Sequence, residues 1–160
     1  MNPAANKPLG IFFLDAGRKY FGVPAIRKLL GGASREGLDM MQLYVSDNQG
    51  FRFAPGDRVV RTPYGVYDLT PALGDGYCQE DKAPDGSGRY LTQEDMEKIL
   101  DYARQVGVEI IPALNMPGHM GAILEHFPHL RYPGSRSSLN LGNPEAVAFG
   151  LALAEQYAAY

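Results

Sequence analysis

The chain has 160 residues, 45% of them hydrophobic, so it is long enough to form one domain with a sizeable core. A net charge of −3, a pI of about 5.6 and scattered basic residues exclude a surface that attracts nucleic acid or anionic membranes. No apolar run in the sequence approaches the roughly 20 residues that a membrane span needs. We therefore expect neither a nucleic-acid partner nor a membrane span.

Residues 1–8 form an N-terminal tail that lacks the charged and apolar regions of a secretory signal. The protein is therefore cytosolic, or its export signal has been removed from the chain. Cys78 is the only cysteine, which excludes an internal disulfide and a thiolate metal cluster. Asp75, Glu80 and Asp81 lie near it in the sequence, and nearby carboxylates disfavour a thiolate. An incidental free cysteine is favoured over a nucleophile.

The first part of the chain predicts two strands with a helix between them. Residues 9–14 are a nearly continuous apolar run, which is typical of a strand buried on both faces. Pro24 opens an amphipathic helical pattern, which the pair Gly31 and Gly32 is expected to end or interrupt. Residues 40–45 then predict the second strand.

A long polar segment at residues 54–89, rich in Gly, Pro and Asp, comes next. It exceeds the length of ordinary connections, which predicts a functional insertion. Thr92 and Asp95 have the spacing of a capping box, and the apolar pattern after them predicts a helix that ends at Gly107. Residues 108–114 predict the third strand.

Residues 120–127 predict a short helix that is followed by a loop rich in Pro, Gly and Ser. Asn143, Pro144 and Glu145 are typical of the first positions of a helix, and this last helix is predicted to continue to the end of the chain. No capping glycine or polar tail follows this helix before the sequence ends at Tyr160. We therefore expect the chain to be a fragment of a longer protein.

Strand and helix signals alternate in the order β-α-β-α-β-α, which predicts parallel strands with helices packed outside them. A doubly wound nucleotide-binding sheet usually has a glycine-rich phosphate loop after its first strand, and residues 15–18 (Asp-Ala-Gly-Arg) are not one. A complete (β/α)8 barrel needs roughly 250 residues. The expected fold is therefore α/β: residues 9–160 form part of a (β/α)8 TIM barrel, about its first three βα units.

Polar side chains follow each predicted strand at its carboxyl end. Asp15 and Arg18 follow the first strand, and Asp47, Asn48 and Gln49 follow the second. Asn115 follows the third strand, and a Pro-Gly turn then holds His119 close to the same end. Because the carboxyl ends of parallel strands lie on one face, these groups are expected to converge. Carboxylates near an arginine and a histidine can bind sugar hydroxyls and tune an acid.

Two other interpretations of these residues stay open. Asp15 and Arg18 could pair only to tie a loop, while His119 bonds a backbone carbonyl, although three coinciding clusters favour a functional site. The histidine and the two aspartates could in principle ligate zinc, but His126 and His129 lie beyond the turn without clean ligand spacing. We expect His126 on a solvated helix face and His129 in a loop. We therefore expect no metal and no cofactor.

Four segments, in the same order along the chain, resemble the start of the catalytic barrel of glycoside hydrolase family 20, the β-N-acetylhexosaminidases. They are residues 14–20 (Leu-Asp-Ala-Gly-Arg-Lys-Tyr), 46–52 (Ser-Asp-Asn-Gln-Gly-Phe-Arg), 90–95 (Tyr-Leu-Thr-Gln-Glu-Asp) and 111–119, which ends in Pro-Gly-His. Each motif is modest, but the ordered set is fairly specific and covers nearly the whole chain.

The resemblance implies hydrolysis of terminal β-linked N-acetylhexosamine from glycans by substrate-assisted retaining catalysis, in which the substrate's 2-acetamido oxygen attacks the anomeric carbon. In the family, an adjacent Asp-Glu pair after the fourth strand orients the acetamido group and protonates the leaving oxygen. By motif position, Arg18 would bind the sugar, with Asp15 and Asn115 beside it. Asp47 and His119 would form a supporting relay that tunes the catalytic Glu. The resemblance also suggests a secreted or cell-surface enzyme.

The chain departs from the family pattern at several positions. It contains no Asp-Glu dipeptide and no tryptophan, although tryptophans wall the family's acetamido pocket. Asn48 stands where the family usually has a second acid, and Ala113 and Asn115 stand where Glu and Asp are frequent. We expect the Asp-Glu pair beyond Tyr160, so this 160-residue chain alone is expected to be an inactive part of a glycosidase.

The competing hypothesis, from a different class, is a non-catalytic carbohydrate-binding or structural module built on part of a barrel. A Gly-x-Asp-Glu sequence encoded shortly after Tyr160 would favour the enzyme over the module. Three βα units also leave a sheet edge and helix faces uncovered. The expected partners are therefore a glycan and either the remainder of the barrel or a second copy of the chain.

Overall fold

The computed structural model describes residues 9–75 and 82–160. Its elements, in chain order, are β1 (Ile11–Asp15), α1 (Val23–Arg35), β2 (Met40–Tyr44), β3 (Val59–Thr62), β4 (Gly65–Asp68), α2 (Gln93–Val106), β5 (Glu109–Ala113), α3 (Gly121–Leu124) and α4 (Pro144–Ala158). β1, β2 and β5 form a parallel sheet in that order, which confirms the three predicted parallel strands. The predicted tail at residues 1–8 and the predicted free thiol of Cys78 lie outside the described residues.

Helices α1 and α2 bury one face of this sheet. Met41 and Leu43 of β2 are at most 1% exposed, and they share one apolar cluster with Ile26 of α1 and Ile99 of α2, which are fully buried. Burying an aliphatic side chain of this size stabilises a fold by roughly 1.5–3 kcal/mol. This apolar layer holds the strands in register, and with them the loops at their carboxyl ends.

The other face of the sheet is open at β1. Ile11 and Phe13 are 53% and 52% exposed, whereas Leu14, which points to the opposite face, is buried. The ring of Phe13 lies 4.6 Å from the ring of Tyr44 on β2. The prediction that this strand is buried on both faces is therefore wrong for the described residues. The physical reason is that α1 and α2 cover the same side of the sheet.

Helix α1 continues through the two glycines that were expected to end or interrupt it, and it ends at Arg35. A Cβ on Gly31 would lie 2.9 Å from the hydroxyl oxygen of Tyr102 on α2. Farther along the helix, the hydroxyl of Ser34 donates to the backbone oxygen of Val106 over 2.7 Å. A glycine costs a helix roughly 1 kcal/mol relative to alanine. Contact with α2 offsets that cost, so the pair marks a close helix–helix approach.

The other helix ends follow the sequence more closely. Thr92 and Asp95 form the predicted capping box at the start of α2, and Gly107 ends that helix in the left-handed region with φ 71°. Asn143 accepts a hydrogen bond from the backbone N–H of Glu145 over 3.0 Å and so caps α4. Helix α3 is shorter than predicted, because only four of the eight residues at 120–127 are helical.

The insertion at residues 54–89 contains regular structure that its composition did not reveal. Strands β3 and β4 form an antiparallel hairpin that packs against α4. The Tyr67 hydroxyl donates to Glu145 Oε1 over 2.7 Å, and Gln156 Nε2 donates to the backbone oxygen of Val59 over 2.6 Å. The described part of the insertion therefore supports the last helix of the chain.

No helix in the described part of the chain is both long and apolar enough to cross a membrane. The longest, α4, has 15 residues, against the roughly 20 that a membrane span requires.

Candidate active site

The predicted site residues converge around Asp47, which follows β2 and is 1% exposed. Its Oδ1 accepts the backbone N–H of Asn48 over 2.6 Å. Its Oδ2 accepts Asn115 Nδ2 over 3.1 Å and Arg18 Nε over 3.3 Å. A buried carboxylate is costly unless it is paired and hydrogen-bonded in this way. Asp47 therefore joins the chain segments that follow β1, β2 and β5.

Arg18 lies between two carboxylates. Its Nε is 3.2 Å from Asp15 Oδ2 and 3.3 Å from Asp47 Oδ2, and its backbone N–H donates to Asp15 Oδ1 over 2.9 Å. The Arg18 side chain is 58% exposed, whereas that of Asp15 is 20% exposed. The pair ties the loop, as the structural alternative expected. Because both ion pairs use Nε, the terminal N–H groups of the guanidinium can still donate to a bound hydroxyl.

Gly17 explains how the loop after β1 comes so close to Asp47. A Cβ at this position would lie 2.7 Å from the carbonyl carbon of Ser46 and 2.9 Å from the backbone nitrogen of Asp47. Backbone atoms cannot move aside as the end of a flexible side chain can. A residue without a Cβ is therefore required here, and it brings Arg18 within reach of the buried carboxylate.

Asn115 connects the segment after β5 to the segment after β2. Its backbone N–H donates to Ser46 Oγ over 3.1 Å, and its Nδ2 donates to the Ser46 backbone oxygen over 2.8 Å as well as to Asp47. These two side-chain bonds account for both hydrogens of the amide nitrogen. Asn115 can therefore contact a bound ligand as an acceptor, through Oδ1.

His119 lies at the exposed side of the cluster, with its side chain 59% exposed. Its Nδ1 is 3.7 Å from Asp47 Oδ2, which is within ion-pair reach of a protonated ring but too long for a hydrogen bond. Nδ1 is also 3.5 Å from Asn48 Nδ2. The φ of His119 is 58°, in the left-handed region that few non-glycine residues occupy. Such backbone conformations cluster at functional sites.

Sequence reasoning did not place Ser46 in the site, and it named Asn48 among the polar residues after the second strand without assigning it a contact. Ser46 is 1% exposed and bonds Asn115, while Asn48 Oδ1 accepts the backbone N–H of Gly121 at the start of α3 over 3.0 Å. The unbroken polar run after β2 was a signal for both residues. Their partners lie 69 and 73 positions away in the chain, so only the fold identifies the contacts.

The other two histidines pair with acids outside the cluster. His126 Nε2 lies 3.0 Å from Asp75 Oδ2, and the side chain is 26% exposed just beyond the end of α3. The expectation of a solvated helix face is therefore wrong, because α3 stops before it. His129 lies in a short 3-10 turn, with Nε2 3.3 Å from Glu145 Oε1. Within residues 9–75 and 82–160, no three His, Cys, Asp or Glu residues are grouped to hold a metal.

Curated proteins similar to this chain include a beta-hexosaminidase and a lacto-N-biosidase. The chain is 31% identical over 120 residues to beta-hexosaminidase B of Pseudoalteromonas piscicida. This alignment covers 69% of the chain and 15% of the relative. The chain is 34% identical over 73 residues to lacto-N-biosidase of Bifidobacterium bifidum. This alignment covers 42% of the chain and 7% of the relative. The chain therefore spans a small part of each relative.

Solved structures match the fold over almost its whole length. The pneumococcal virulence factor StrH has a TM-score of 0.77 and 27% identity, covering 93% of this chain and 38% of that one. Streptomyces plicatus beta-hexosaminidase has a TM-score of 0.72 and covers 94% of this chain and 30% of that one, and at 24% identity this likeness establishes the fold. The predicted partial (β/α)8 barrel is thereby confirmed.

The family profile described as "Glycosyl hydrolase family 20, catalytic domain" matches residues 10–150. That range contains the three parallel strands, helices α1 and α2 and the whole cluster around Asp47. The chain therefore belongs to glycosyl hydrolase family 20.

Proposed function

We propose that this chain is the N-terminal part of the catalytic barrel of a β-N-acetylhexosaminidase. The parent enzyme would hydrolyse terminal β-linked N-acetylhexosamine from glycans by substrate-assisted retaining catalysis, with an Asp-Glu pair outside these 160 residues. The observation that carries the proposal is the convergence of polar groups on the buried carboxylate of Asp47, in a chain of family 20. The relatives named beta-hexosaminidase support the choice of sugar.

In this proposal the sugar is bound mainly by Arg18. Two carboxylates, those of Asp15 and Asp47, contact its Nε and fix the base of the guanidinium, while the side chain stays 58% exposed. A guanidinium held in this way can donate several hydrogen bonds to neighbouring hydroxyls. Asp15, which is 20% exposed, and Oδ1 of Asn115 add acceptors for sugar hydroxyl protons.

Asp47 and His119 support the catalytic acid in this proposal and do not replace it. The carboxylate of Asp47 lies 3.7 Å from His119 Nδ1, so it can form an ion pair with the ring when the ring is protonated. The exposed ring can then hold a neighbouring carboxyl group in position, and its charge tunes that group's protonation. The chain supplies the histidine and its counter-charge, and the Asp-Glu pair would supply the proton transfer.

The experiment compares the full-length gene product that contains these residues with the 160-residue chain, using an aryl N-acetylglucosaminide. We expect turnover by the gene product and none by the chain alone, which has no Asp-Glu dipeptide. Turnover by the chain alone would contradict this assignment. The non-catalytic alternative predicts a gene product that binds N-acetylhexosamine without turnover, and whose gene has no Gly-x-Asp-Glu sequence after Tyr160.

A matched pair of arginine variants tests the sugar-binding role. Arg18→Ala in the gene product should reduce kcat/KM by at least about a hundredfold, because it removes charged hydrogen bonds to the sugar. The control is Arg61→Ala, since Arg61 is 61% exposed and also pairs with an aspartate, at 2.6 Å. If both variants had the same kcat/KM, Arg18 would not contact the substrate.

We also infer that the remainder of the barrel, or a second copy of the chain, covers the open face of β1. Ile11 and Phe13 support this inference, because both are about half exposed on a face that is packed in a closed barrel. A secreted or cell-surface location follows from the proposed glycan substrate. Fractionation of the source cells tests the location, and activity confined to the cytoplasm would contradict it.

A further inference from the structure

The side-chain amide of Asn48 has a defined orientation. The backbone N–H of Gly121 donates to it over 3.0 Å. A backbone N–H is always a donor, so the side-chain atom that receives it must be the oxygen, Oδ1. The nitrogen, Nδ2, is therefore the atom that lies 3.5 Å from His119 Nδ1. The two contacts of the Asn48 amide connect the segment after β2 to the turn after β5 and to the start of α3.

The orientation of the amide determines what His119 can do when its ring is neutral. An amide nitrogen donates and cannot accept, so a hydrogen bond across this 3.5 Å contact requires His119 Nδ1 to accept from Asn48 Nδ2 and to carry no hydrogen. A neutral imidazole has one N–H hydrogen, which must then be on Nε2. The ring therefore offers an N–H donor at the end that is farther from Asn48.

Asp47 does not oppose this tautomer. It lies 3.7 Å from His119 Nδ1, beyond hydrogen-bond distance, while Asn115, Arg18 and a backbone N–H already bond its two oxygens. Asp47 therefore acts on His119 mainly through charge when the ring is protonated, whereas Asn48 acts on the neutral ring. The two neighbours of Nδ1 have different roles in the two protonation states.

We propose that Asn48 is a positioning residue that keeps the proton of neutral His119 on Nε2, so that this N–H is presented to an oxygen acceptor in the sugar site. The oxygen acceptor rests on the function proposed above, where a carboxylate of the Asp-Glu pair or an oxygen of the substrate would take this role. The tautomer rests on the contacts of Asn48 alone. An aspartate at position 48 would accept at this place and would favour the opposite tautomer.

Nitrogen NMR of isotope-labelled histidine in the full-length gene product tests the tautomer directly. His119→Gln identifies the His119 signals by their loss. At a pH where the ring is neutral, we expect the proton on Nε2 and a bare Nδ1. Asn48→Asp should move the proton to Nδ1, because the new carboxylate accepts it. Asn48→Ala should leave a mixture of the two tautomers, because no side-chain amide then donates to Nδ1. A proton on Nδ1 in the unsubstituted protein would overturn the proposal.

The control for added charge is Gln105→Glu, on the exposed surface of α2 near its carboxyl end, which leads into the amino end of β5. It introduces the same charge at the opposite end of the sheet and should leave the tautomer on Nε2. A proton that stays on Nε2 in both Asn48 variants would show that Asn48 does not set it. Preserved backbone spectra in each variant separate this result from misfolding.

Kinetics separate this proposal from the proposed function. With an aryl N-acetylhexosaminide, Asn48→Asp should lower kcat by about tenfold or more and leave KM within about twofold, because the donor acts in the reaction and not in sugar binding. A gene product without turnover, but with the expected tautomers, would contradict the glycosidase and support the role of Asn48. A parallel loss of kcat in Gln105→Glu would contradict the positioning role.

Discussion

Asn115 Nδ2 donates to Asp47 Oδ2 over 3.1 Å, and this bond joins the segment after β5 to a carboxylate that is 1% exposed after β2. The same nitrogen donates to the Ser46 backbone oxygen. One amide therefore satisfies two acceptors that belong to the segment after β2. Arg18 approaches the same carboxylate oxygen from the β1 side, so the site depends on the register of all three strands.

Replacing Asn115 tests this connection. Asn115→Ala should lower the free energy of unfolding by about 1–3 kcal/mol, because a buried carboxylate and a backbone oxygen each lose a donor. Urea unfolding of the gene product measures the loss. Asn140→Ala is the matched control, since Asn140 Oδ1 accepts one backbone N–H, that of Gly142, over 3.0 Å. An equal loss in the two variants would show that the Asp47 contact adds nothing to stability.

The two adjacent glycines in α1 should respond differently to alanine. Gly32→Ala should raise the free energy of unfolding by about 0.5–1 kcal/mol, because it reduces the entropy of the unfolded chain and its nearest side-chain neighbour is 4.0 Å away. Gly31→Ala should gain less or destabilise, because its Cβ would lie 2.9 Å from the Tyr102 hydroxyl. Thermal unfolding of both variants checks the order, and a larger gain from Gly31→Ala would contradict the close approach of α1 and α2.

Tyr157 should make stability depend on alkaline pH. Burial raises the pKa of its hydroxyl above the ordinary value of 10.0. The folded protein then keeps this proton at a pH where the unfolded chain has lost it. The contribution of the buried, protonated Tyr157 to the free energy of unfolding is therefore fully present below pH 10.0 and declines as the pH rises above that value.

Tyr157→Phe separates this effect from the rest of the alkaline transition. It should cost about 1 kcal/mol at neutral pH, because the hydroxyl donates to the Phe53 backbone oxygen, and it should flatten the alkaline decline. Tyr64→Phe is the control, since Tyr64 is 58% exposed. Chemical unfolding at several pH values measures both variants, and an unchanged slope in Tyr157→Phe would argue against the burial effect.

The open face of β1 should drive self-association of the 160-residue chain. Replacing Ile11 and Phe13 together by threonine keeps the preference for a strand but removes exposed apolar area. Sedimentation velocity should then show a smaller associated fraction than in the unchanged chain. Val66→Thr is the control, because Val66 is 71% exposed on β4, away from this face. A monomeric unchanged chain with a cooperative melt would contradict the expectation.

Local chemistry made several elements predictable. Thr92, Asp95 and Gly107 bound α2 as their residue types indicate, because caps are satisfied by atoms within a few positions. The alternation of strands and helices predicted a parallel sheet, because the residue periodicity that reveals it is also local in the sequence. The Gly31–Gly32 pair was misjudged, since the helix is stabilised there by contact with another helix, which local propensity does not include.

The hairpin in the insertion was missed because its strands, β3 and β4, have four residues each, too few for a clear pattern of alternation. What stabilises it is packing against α4, which begins 76 positions after the last residue of the hairpin. Short strands of this kind depend on the surface that covers them. The exposure of β1 was also missed, because an apolar run does not say which side its helices cover.

By itself, the sequence determined the three parallel strands, the caps of α2 and α4 and the placement of Asp15, Arg18, Asp47, Asn115 and His119 at the ends of those strands. These features follow from periodicity and from residue chemistry within a few positions of the chain. Only the tertiary structure decided that the other four lie around the buried carboxylate of Asp47, and that Asn48 is the amide in contact with His119. Those contacts depend on the distance and direction between loops that lie 29 to 71 positions apart in the chain, which packing of the helices against the sheet sets.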